Sequence, residues 1–271
     1  MAECTHNCDT CNEKCEERDL RIHTNQYSNI KKRIGIVSGK GGVGKSLVTS
    51  LLAINSAKLG YKCAILDGDI LGPSIPKIFN IHEKAFGDAT GKLIYPAHGP
   101  LNIDIISASM LLEHEDDPII WRGSLVSGVV QQFYSDVIYG EQDVLFIDMP
   151  PGTGDIPLTI FQSIPLDGII IVTSPQDLVS LIVEKAVKMA KMMNIPILGL
   201  VENYAYVSCP KCEEKIYIYG KSKNEEKAKE HEIPHFITLP LDPTIATYCD
   251  EGKLHEYDIE AFNDLIKDFM K

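Results

Sequence analysis

The chain has 271 residues, eight cysteines and a net charge of −12 at pH 7, with a pI near 5.1. This acidic balance argues against general binding to nucleic acid or to an anionic membrane surface. The chain lacks a run of about 18 apolar residues and begins with a polar stretch, so we expect no membrane-spanning helix, no secretory signal and a cytoplasmic location. Because thiols stay reduced there, clustered cysteines favour metal or cluster ligation over disulfides.

The first 30 residues differ from the rest of the chain because they are polar, lack periodicity and hold four cysteines. We interpret residues 1–30 as an N-terminal tail and residues 31–271 as one domain. The tail cysteines have the spacing Cys-x3-Cys-x2-Cys-x3-Cys, which can wrap one zinc ion or one iron–sulfur cluster. A tail that binds metal only transiently is the alternative. The four candidate ligands are Cys4, Cys8, Cys11 and Cys15.

A glycine-rich motif at residues 39–46 fits the phosphate-binding pattern G-x-x-x-x-G-K-[ST]. Residues 33–38 before it predict a short buried strand, and residues 45–59 predict a helix whose N-terminal dipole faces an anion. The backbone N–H groups of such a loop cradle phosphate oxygens, its lysine reaches the β- and γ-phosphates, and its hydroxyl can ligate Mg²⁺. The predicted nucleotide-binding residues are Gly39, Lys40, Gly41, Gly42, Val43, Gly44, Lys45 and Ser46.

Lys40 is a second lysine in this motif, directly after its first glycine. An ordinary phosphate loop does not need a lysine there, and a solvated loop charge is one interpretation. The other is a lysine that reaches a nucleotide in a second subunit and neutralises charge on the transferring phosphoryl group. A cation supplied in trans is worth roughly 10³ to 10⁵ in rate, so we assign a catalytic role to Lys40 beside Lys45.

Two acids, Asp67 and Asp69, follow the next predicted strand at residues 62–67. In an extended chain, alternate side chains point to opposite faces, so the two acids take different roles. We predict that Asp69 positions or activates the attacking water and that Asp67 supports the Mg²⁺ shell. Aspartates that only shape a turn are the alternative.

The chain from residue 32 alternates apolar strand-like runs with amphipathic helical stretches. This order is typical of a mostly parallel sheet covered by helices on both faces, so the fold class is α/β. A Gly- and Pro-rich excursion is expected at residues 72–100. Further strands are predicted at residues 101–107, 144–148, 168–173, 197–202 and 235–239, and helices at residues 125–138, 179–193 and 259–270.

Asp148 closes one of these strands and precedes a loop rich in glycine and proline. Ligands bind at the carboxyl ends of parallel strands, where an acid can hold Mg²⁺ directly or through water. The loop after it can sense the γ-phosphate, as switch loops do. The alternative is an aspartate that caps the next turn.

Cys209 and Cys212 form a Cys-x-x-Cys turn between two strand-like runs, which predicts a knuckle on a small hairpin insertion. Two thiolates are half of a four-ligand site. The N-terminal tail, Cys249 or Cys63 could complete it, or a symmetric second subunit could supply the same pair again. We prefer the second subunit, because Lys40 independently calls for one. A redox dithiol or an inert turn remains an alternative.

These motifs together resemble the Mrp/ApbC-type iron–sulfur cluster carrier ATPases, P-loop NTPases of the deviant phosphate-loop group that also holds ParA/MinD positioning ATPases and nitrogenase iron protein. The resemblance covers about residues 30–271. Besides the phosphate loop, the aspartates and the cysteine pair, it is carried by Gly72-Pro73-Ser74-Ile75-Pro76, Trp121-Arg122-Gly123, Thr173-Ser174-Pro175-Gln176-Asp177, Val201-Glu202-Asn203 and Pro240-Leu241-Asp242.

The resemblance implies a homodimer with two ATP sites and Lys40 reaching across the dimer. It implies that Asn203 contacts the adenine and that the segment at Pro240 lies near the base. Cys209 and Cys212, with their mates, would hold a bridging [4Fe–4S] cluster for transfer to apo iron–sulfur proteins. A zinc ion in a four-cysteine site of the same geometry is also possible, especially after isolation in air. The tail cysteines are more tightly spaced than those of the family relative that carries an N-terminal cluster.

Two other functions are compatible with the phosphate loop. A MinD/ParA-like positioning ATPase would need a basic amphipathic C-terminal helix or a DNA-binding surface, and residues 260–271 are mixed in charge. An ATP-dependent reductase related to nitrogenase iron protein would take its cluster ligands from separated single cysteines rather than from a pair.

Overall fold

The structure is a computed structural model that describes residues 21–112, 123–152, 154–176 and 180–271. The strands are β1 Ser28–Ser38, β2 Cys63–Asp67, β3 Phe86–Gly87, β4 Ile94–Tyr95, β5 Ala97–His98, β6 Asp104–Ile106, β7 Gly140–Asp148, β8 Gly168–Thr173, β9 Ile197–Ser208, β10 Lys215–Ile216 and β11 Phe236–Pro240. The helices are α1 Lys45–Lys58, α2 Ile75–Ile78, α3 Gly123–Asp136, α4 Asp155–Ser163, α5 Ser180–Met192, α6 Asn224–Glu230, α7 Pro243–Asp250 and α8 Asn263–Phe269.

Nine of the strands in the described residues form one sheet in the order β10-β9-β8-β1-β7-β2-β6-β5, with β11 also beside β9. The pairs within the span from β6 to β9, and β11 with β9, are parallel. Only β5 and β10 run antiparallel to their neighbours in this sheet. Parallel strands joined by helices place all of their carboxyl ends on one edge, where α/β proteins bind ligands.

The central strands are buried on both faces because their side chains alternate between two apolar cores. In β7, Leu145 and Ile147 face the core beneath α3, α4, α5 and α6. Val144 and Phe146 face the opposite core, which α1, α2, α7 and α8 cover. The predicted class, a mostly parallel α/β sheet with helices on both faces, is therefore confirmed.

Several predicted boundaries were wrong. β1 begins at Ser28 rather than at residue 33, and β9 continues to Ser208 rather than ending at residue 202. The strand predicted at residues 101–107 is reduced to β6, because the chain first turns through a short 3-10 helix at Pro100–Asn102 in which Leu101 has a φ of +59°. The excursion at residues 72–100 contains α2 and three two-residue strands.

Besides the four-residue α2, three helices were not predicted, because each lacks a long apolar period. α4 carries a proline in its first turn, where a missing N–H is tolerated. α6 is almost wholly polar, with the sequence NEEKAKE. α7 starts at Pro243 after an Asp242 cap that accepts a 2.8 Å hydrogen bond from the Thr244 N–H.

The described end of the predicted tail is attached to the domain. The Ile22 N–H donates to Ser163 O at 2.8 Å. The Asn25 side-chain amide donates to Ser135 O at 2.9 Å and to Val137 O at 2.7 Å. A division of the chain at residue 30 therefore remains a prediction, with β1 starting before it. Among the described residues, no helix has the length and apolar content needed to cross a membrane.

Candidate functional site

The carboxyl ends of β1, β2 and β7 bring the predicted acids together. Asp67 on β2 pairs in register with Asp148 on β7, and Asp148 is also opposite Ile36 on β1. Both aspartate side chains are fully buried. The Gly68 N–H donates to Asp148 O at 2.8 Å, and a Cβ at Gly68 would lie only 2.9 Å from that oxygen. This glycine therefore allows the loop after β2 to approach the end of β7.

The phosphate loop turns into α1 at Gly44, which has a φ of +82°. A Cβ at this position would meet Asn203 Nδ2 at 2.2 Å. Asn203 is 1% exposed, and its amide donates to Val43 O at 3.1 Å. The side-chain amide of Asn203 on β9 thus holds the phosphate loop through a hydrogen bond. Its contact with adenine remains a prediction.

Lys45 is buried beside two carboxylates, and its ammonium pairs with them by charge. Its Nζ lies 2.8 Å from Asp148 Oδ1 and 3.8 Å from Asp69 Oδ2. These are ion-pair distances without hydrogen-bond geometry, and Nζ has no hydrogen-bond acceptor among the described residues. An ammonium carries three N–H donors, so Nζ keeps donors for a phosphate oxygen while it pairs with Asp148. The residues present therefore fit a nucleotide phosphate.

Asp148 is oriented by two hydroxyls of α1. The Ser46 Oγ donates to Asp148 Oδ2 at 2.5 Å, and the Thr49 Oγ1 donates to Asp148 Oδ1 at 2.9 Å. A serine oxygen next to a carboxylate is the hard oxygen set that Mg²⁺ prefers. The donor set fits Mg²⁺, with Ser46 and Asp148 as the residues that would hold it.

Asp67 and Asp69 have different surroundings. Asp67 accepts hydrogen bonds from Ser107 Oγ at 3.0 Å, from the Asp69 N–H at 3.2 Å and from the Ile75 N–H at 3.4 Å. Burial, together with the nearby Asp148 charge, raises the pKa of Asp67 to about 7. Asp67 thus fixes the loop that carries Asp69, and its place in a Mg²⁺ shell remains a prediction.

Asp69 lines a cavity of about 320 Å³ in front of the phosphate loop. Burial raises the pKa of Asp69, although Lys45 opposes the rise. Tyr204 lines the same cavity and has a φ of +60°, an uncommon backbone conformation for a bulky residue. The cavity is bounded by Ser38, Gly41, Gly42, Gly44, Lys45, Ser46, Leu47, Gly72, Ser74, Ile78 and Pro151 as well.

Sequence reasoning missed Thr49, Ser107 and Tyr204. Thr49 is four residues after Lys45 and so lies on the same face of α1, which helical spacing could have revealed. Ser107 follows β6, the strand beside β2, so the carboxyl-end rule could have found it. Nothing in the sequence indicates the backbone conformation of Tyr204.

Lys40 does not point at the cavity of its own chain. Its Nζ donates to Gln176 Oε1 at 2.5 Å. Gln176 follows β8 and lies in the motif that contributed to the family resemblance. Lys40 is therefore held by a neutral partner outside the lining of the cavity, and its catalytic role remains a prediction.

Cys209 and Cys212 lie at the far end of β9, on the turn to β10. The Cys209 N–H donates to Glu214 O and the Glu213 N–H donates to Cys209 O, both at 2.9 Å. Hydrogen bonds from the backbone N–H groups of Lys211 and Cys212 lower the pKa of the Cys209 thiol. A thiolate stabilised in this way is the form that binds metal.

The cysteine pair is incomplete within one described chain. Cys63 is 1% exposed, and three strands separate its β2 from β9, about 19 Å at ordinary strand spacing. Cys249 faces a different cavity, between α7 and α2. No further Cys, His, Asp or Glu among the described residues joins the pair in a group close enough to hold one ion.

The remaining predicted residues are placed as follows. Pro240 ends β11 and pairs with Tyr206 of β9, so it lies at the same edge of the sheet as Asn203. Its proximity to the base remains a prediction. The other residues that the sequence singled out lie outside the described ranges: Cys4, Cys8, Cys11, Cys15, Trp121, Arg122 and Asp177.

The parallel α/β fold and the phosphate loop at residues 39–46 define a P-loop NTPase. The profile of a ParA family described as NUBPL iron-transfer P-loop NTPase matches residues 29–270. The chain belongs to this iron-transfer family, as its resemblance in sequence predicted.

Curated relatives and solved structures agree with that assignment. The iron-sulfur cluster carrier protein of Clostridium perfringens is 46% identical over 246 residues, 89% of this chain and 86% of the relative. The protein of the same name from Methanocaldococcus jannaschii is 44% identical and covers 93% of this chain and 90% of its own. A nucleotide-binding protein from Archaeoglobus fulgidus, solved with ADP, has a TM-score of 0.77 at 40% identity, covering 86% of this chain and 91% of its own. The cell division ATPase MinD of Pyrococcus furiosus shares the fold, with a TM-score of 0.60 at 21% identity. The match covers 88% of this chain and 97% of the MinD chain.

Proposed function

We propose that this protein is an ATP-dependent iron–sulfur cluster carrier that works as a homodimer in the cytoplasm and delivers a bridging [4Fe–4S] cluster to apoproteins. The observation that carries the proposal is the continuity of β9. Asn203 on this strand holds the phosphate loop through Val43. Six residues later, about 20 Å along the strand, the same element presents Cys209.

ATP hydrolysis is assigned to the cavity before the phosphate loop. Loop N–H groups and Lys45 bind the β- and γ-phosphates, and Mg²⁺ held by Ser46 and Asp148 would neutralise charge on them. Asp69 orients a water for attack on the γ-phosphorus and accepts its proton. The bond from phosphorus to the bridging oxygen of ADP breaks, and ADP and inorganic phosphate leave. The ADP complex of the Archaeoglobus fulgidus protein supports this assignment.

Lys40 makes the reaction depend on a second chain. Within one subunit its ammonium is bound to Gln176. In the proposed dimer, Lys40 exchanges this neutral acceptor for the phosphates bound by the partner, because a charged acceptor binds an ammonium more strongly. Hydrolysis is then slow in a single chain and faster in a nucleotide-bound pair.

The cluster is the cargo of the cysteine pair. A two-fold axis beside the turn brings two cysteines from each chain, which together make the four thiolates that a [4Fe–4S] cluster takes. The lowered pKa of Cys209 favours ligation, and the exposure of Cys212 leaves the cluster accessible to a recipient. Zinc fits the same four thiolates, so the metal must be determined by analysis of protein purified without air.

The positioning ATPase is less well supported. The apolar face of α8 is already buried, with Leu265, Ile266 and Phe269 all within the core. This face is not free to insert into a membrane surface, as a C-terminal targeting helix would need. The reductase is disfavoured because Cys209 and Cys212 are paired on one turn.

The test is anaerobic reconstitution of the full chain with iron and sulfide. We compare the parent with a Cys209→Ala/Cys212→Ala variant, with a matched Cys249→Ala control, and repeat all three with the four tail cysteines changed to serine. In the tail-substituted background we expect about one cluster per two chains for the parent and control, and none for the double variant. Equal iron in the double variant would refute the assignment of the cargo site.

The nucleotide half is tested separately with Lys45→Ala. Removal of the buried ammonium should abolish ATP binding measured by calorimetry, while the cluster content of the reconstituted protein is retained. ATP affinity equal to that of the parent would refute the assignment of the phosphate site and leave the cluster site untouched.

A further inference from the structure

A groove of about 300 Å³ lies between α4 and α5, on the sheet face away from α1. It is lined by Leu158, Lys185, Lys188, Met189, Met192 and Met193. Met192 is 82% exposed and Leu158 is 37% exposed. Unbranched methionines adapt to irregular partners, so this surface is suited to a short segment of chain.

The rim of the groove is basic on a protein that is acidic overall. Lys185 and Lys188 are both exposed, one turn apart on α5. Neither has an acidic partner in the part of the chain that the structure describes. Two lysines beside the apolar methionines therefore favour an occupant that is acidic and also carries small apolar groups.

The N-terminal segment, residues 1–20, joins the described chain close to the groove. The Ile22 N–H donates to the carbonyl of Ser163, the last residue of α4. Ile22 also packs against the core on this face of the sheet. Leu158 lies five residues earlier in α4, about 7.5 Å along the helix. Residues 1–20 therefore join the described chain beside the groove, and their extended length of about 66 Å is more than sufficient to cross it.

The composition of residues 1–20 complements the groove. The segment holds six acidic and two basic residues, a balance of −4. Its four cysteines behave as small hydrophobes when they are not bound to metal. Tethering gives the segment an effective concentration in the millimolar range, so weak contacts are enough to fill the groove.

We propose that residues 1–20 dock in the groove between α4 and α5, with their carboxylates on Lys185 and Lys188. The groove is bordered by α4, the helix that begins directly after the loop following Asp148. The assignment does not depend on the cluster-carrier proposal, because it concerns only the charge and the path of the chain.

Pulsed hydroxyl-radical labelling of Met192 in the full, reduced, metal-free chain tests the docking. The segment variant is Glu13→Gln/Glu16→Gln/Glu17→Gln. Exposed charge pairs each change an equilibrium by about 1.4- to 5-fold, so loss of the pairs with Lys185 and Lys188 weakens docking by roughly 2- to 25-fold. Met192 should be protected in the parent and labelled faster in the variant. The matched control changes three exposed glutamates on the opposite face, Glu251→Gln, Glu256→Gln and Glu260→Gln, and should label like the parent.

Carbodiimide cross-linking identifies the occupant. Links within one chain between carboxylates of residues 1–20 and Lys185 or Lys188 are expected in the parent and should be reduced in the segment variant. Labelling of Met192 in the parent at the rate of a free methionine peptide would overturn the proposal, because the groove would then be open. Protection that disappears on dilution, with links only between chains, would also overturn it in favour of a second copy.

Discussion

Replacing Gly44 with alanine tests the close contact between the phosphate loop and β9. Gly44 has a φ of +82°, and its added Cβ would lie 2.2 Å from Asn203 Nδ2. Asn203 is buried and donates to Val43 O, so its amide cannot move without losing that hydrogen bond. Gly42 is the matched control, because it has a φ of +80° but no atom within 4 Å of the added Cβ.

The expected losses in free energy of unfolding follow from the left-handed backbone and from the displacement of the Asn203 amide. A left-handed conformation costs a residue with a Cβ about 1–2 kcal/mol, which applies to both variants. Displacing a buried amide from its acceptor adds about 1–3 kcal/mol, which applies only to Gly44→Ala. The free energy of unfolding should therefore fall by about 2–5 kcal/mol for Gly44→Ala and by about 1–2 kcal/mol for Gly42→Ala.

Urea unfolding of the nucleotide-free protein measures both values. In an Asn203→Ala background the closest contact of the added Cβ is gone and the Tyr204 hydroxyl remains at 3.0 Å, so the cost of Gly44→Ala should fall toward that of Gly42→Ala. Equal destabilisation by the two glycine variants in the parent would refute the contact. So would a cost of Gly44→Ala that is the same in both backgrounds.

Three further predictions concern hydrolysis and pH. Lys40→Ala should keep ATP affinity and lose roughly 10³-fold or more in phosphate release, and unchanged turnover would remove its role across the dimer. Asp69→Ala should bind ATP and stay as a two-chain species in light scattering, whereas a parental hydrolysis rate would assign the water to another group. Hydrogen bonds from Lys227 and His231 lower the pKa of Glu184 from 4.5 to about 2. The stability that this depression adds is complete above about pH 4.5 and is lost as the pH falls toward 2. Glu184→Gln should therefore flatten the fall in melting temperature between about pH 5 and 3, and an unchanged slope would contradict this.

The sequence predicts the parts of the fold that follow local rules. The runs of β7 and β8 are apolar throughout their buried parts, and α1 and α5 have helical periods, so each was found to within a few residues. α6 and the two-residue strands depend on tertiary contacts rather than on their own pattern. Their positions could not be inferred from local sequence.

The residues of the site also fall into those that local sequence predicts and those that depend on tertiary contacts. The phosphate loop and Asp148 combine a motif with a strand end, and both signals can be read from sequence. The hydrogen bond from Asn203 to Val43 joins residues 160 positions apart, and the one from Lys40 to Gln176 joins residues 136 apart. Such pairs exist only once the sheet order is known, which a single sequence does not reveal.

The proposal that two chains share one cargo is tested most directly by native mass spectrometry of protein reconstituted and sprayed without air. The tail cysteines are replaced by serine, so that only Cys209, Cys212, Cys63 and Cys249 remain. We expect the mass of two chains with one cluster between them, and single chains that carry no iron. A single chain that carries a complete cluster, or a pair of chains with one cluster each, would contradict the shared site.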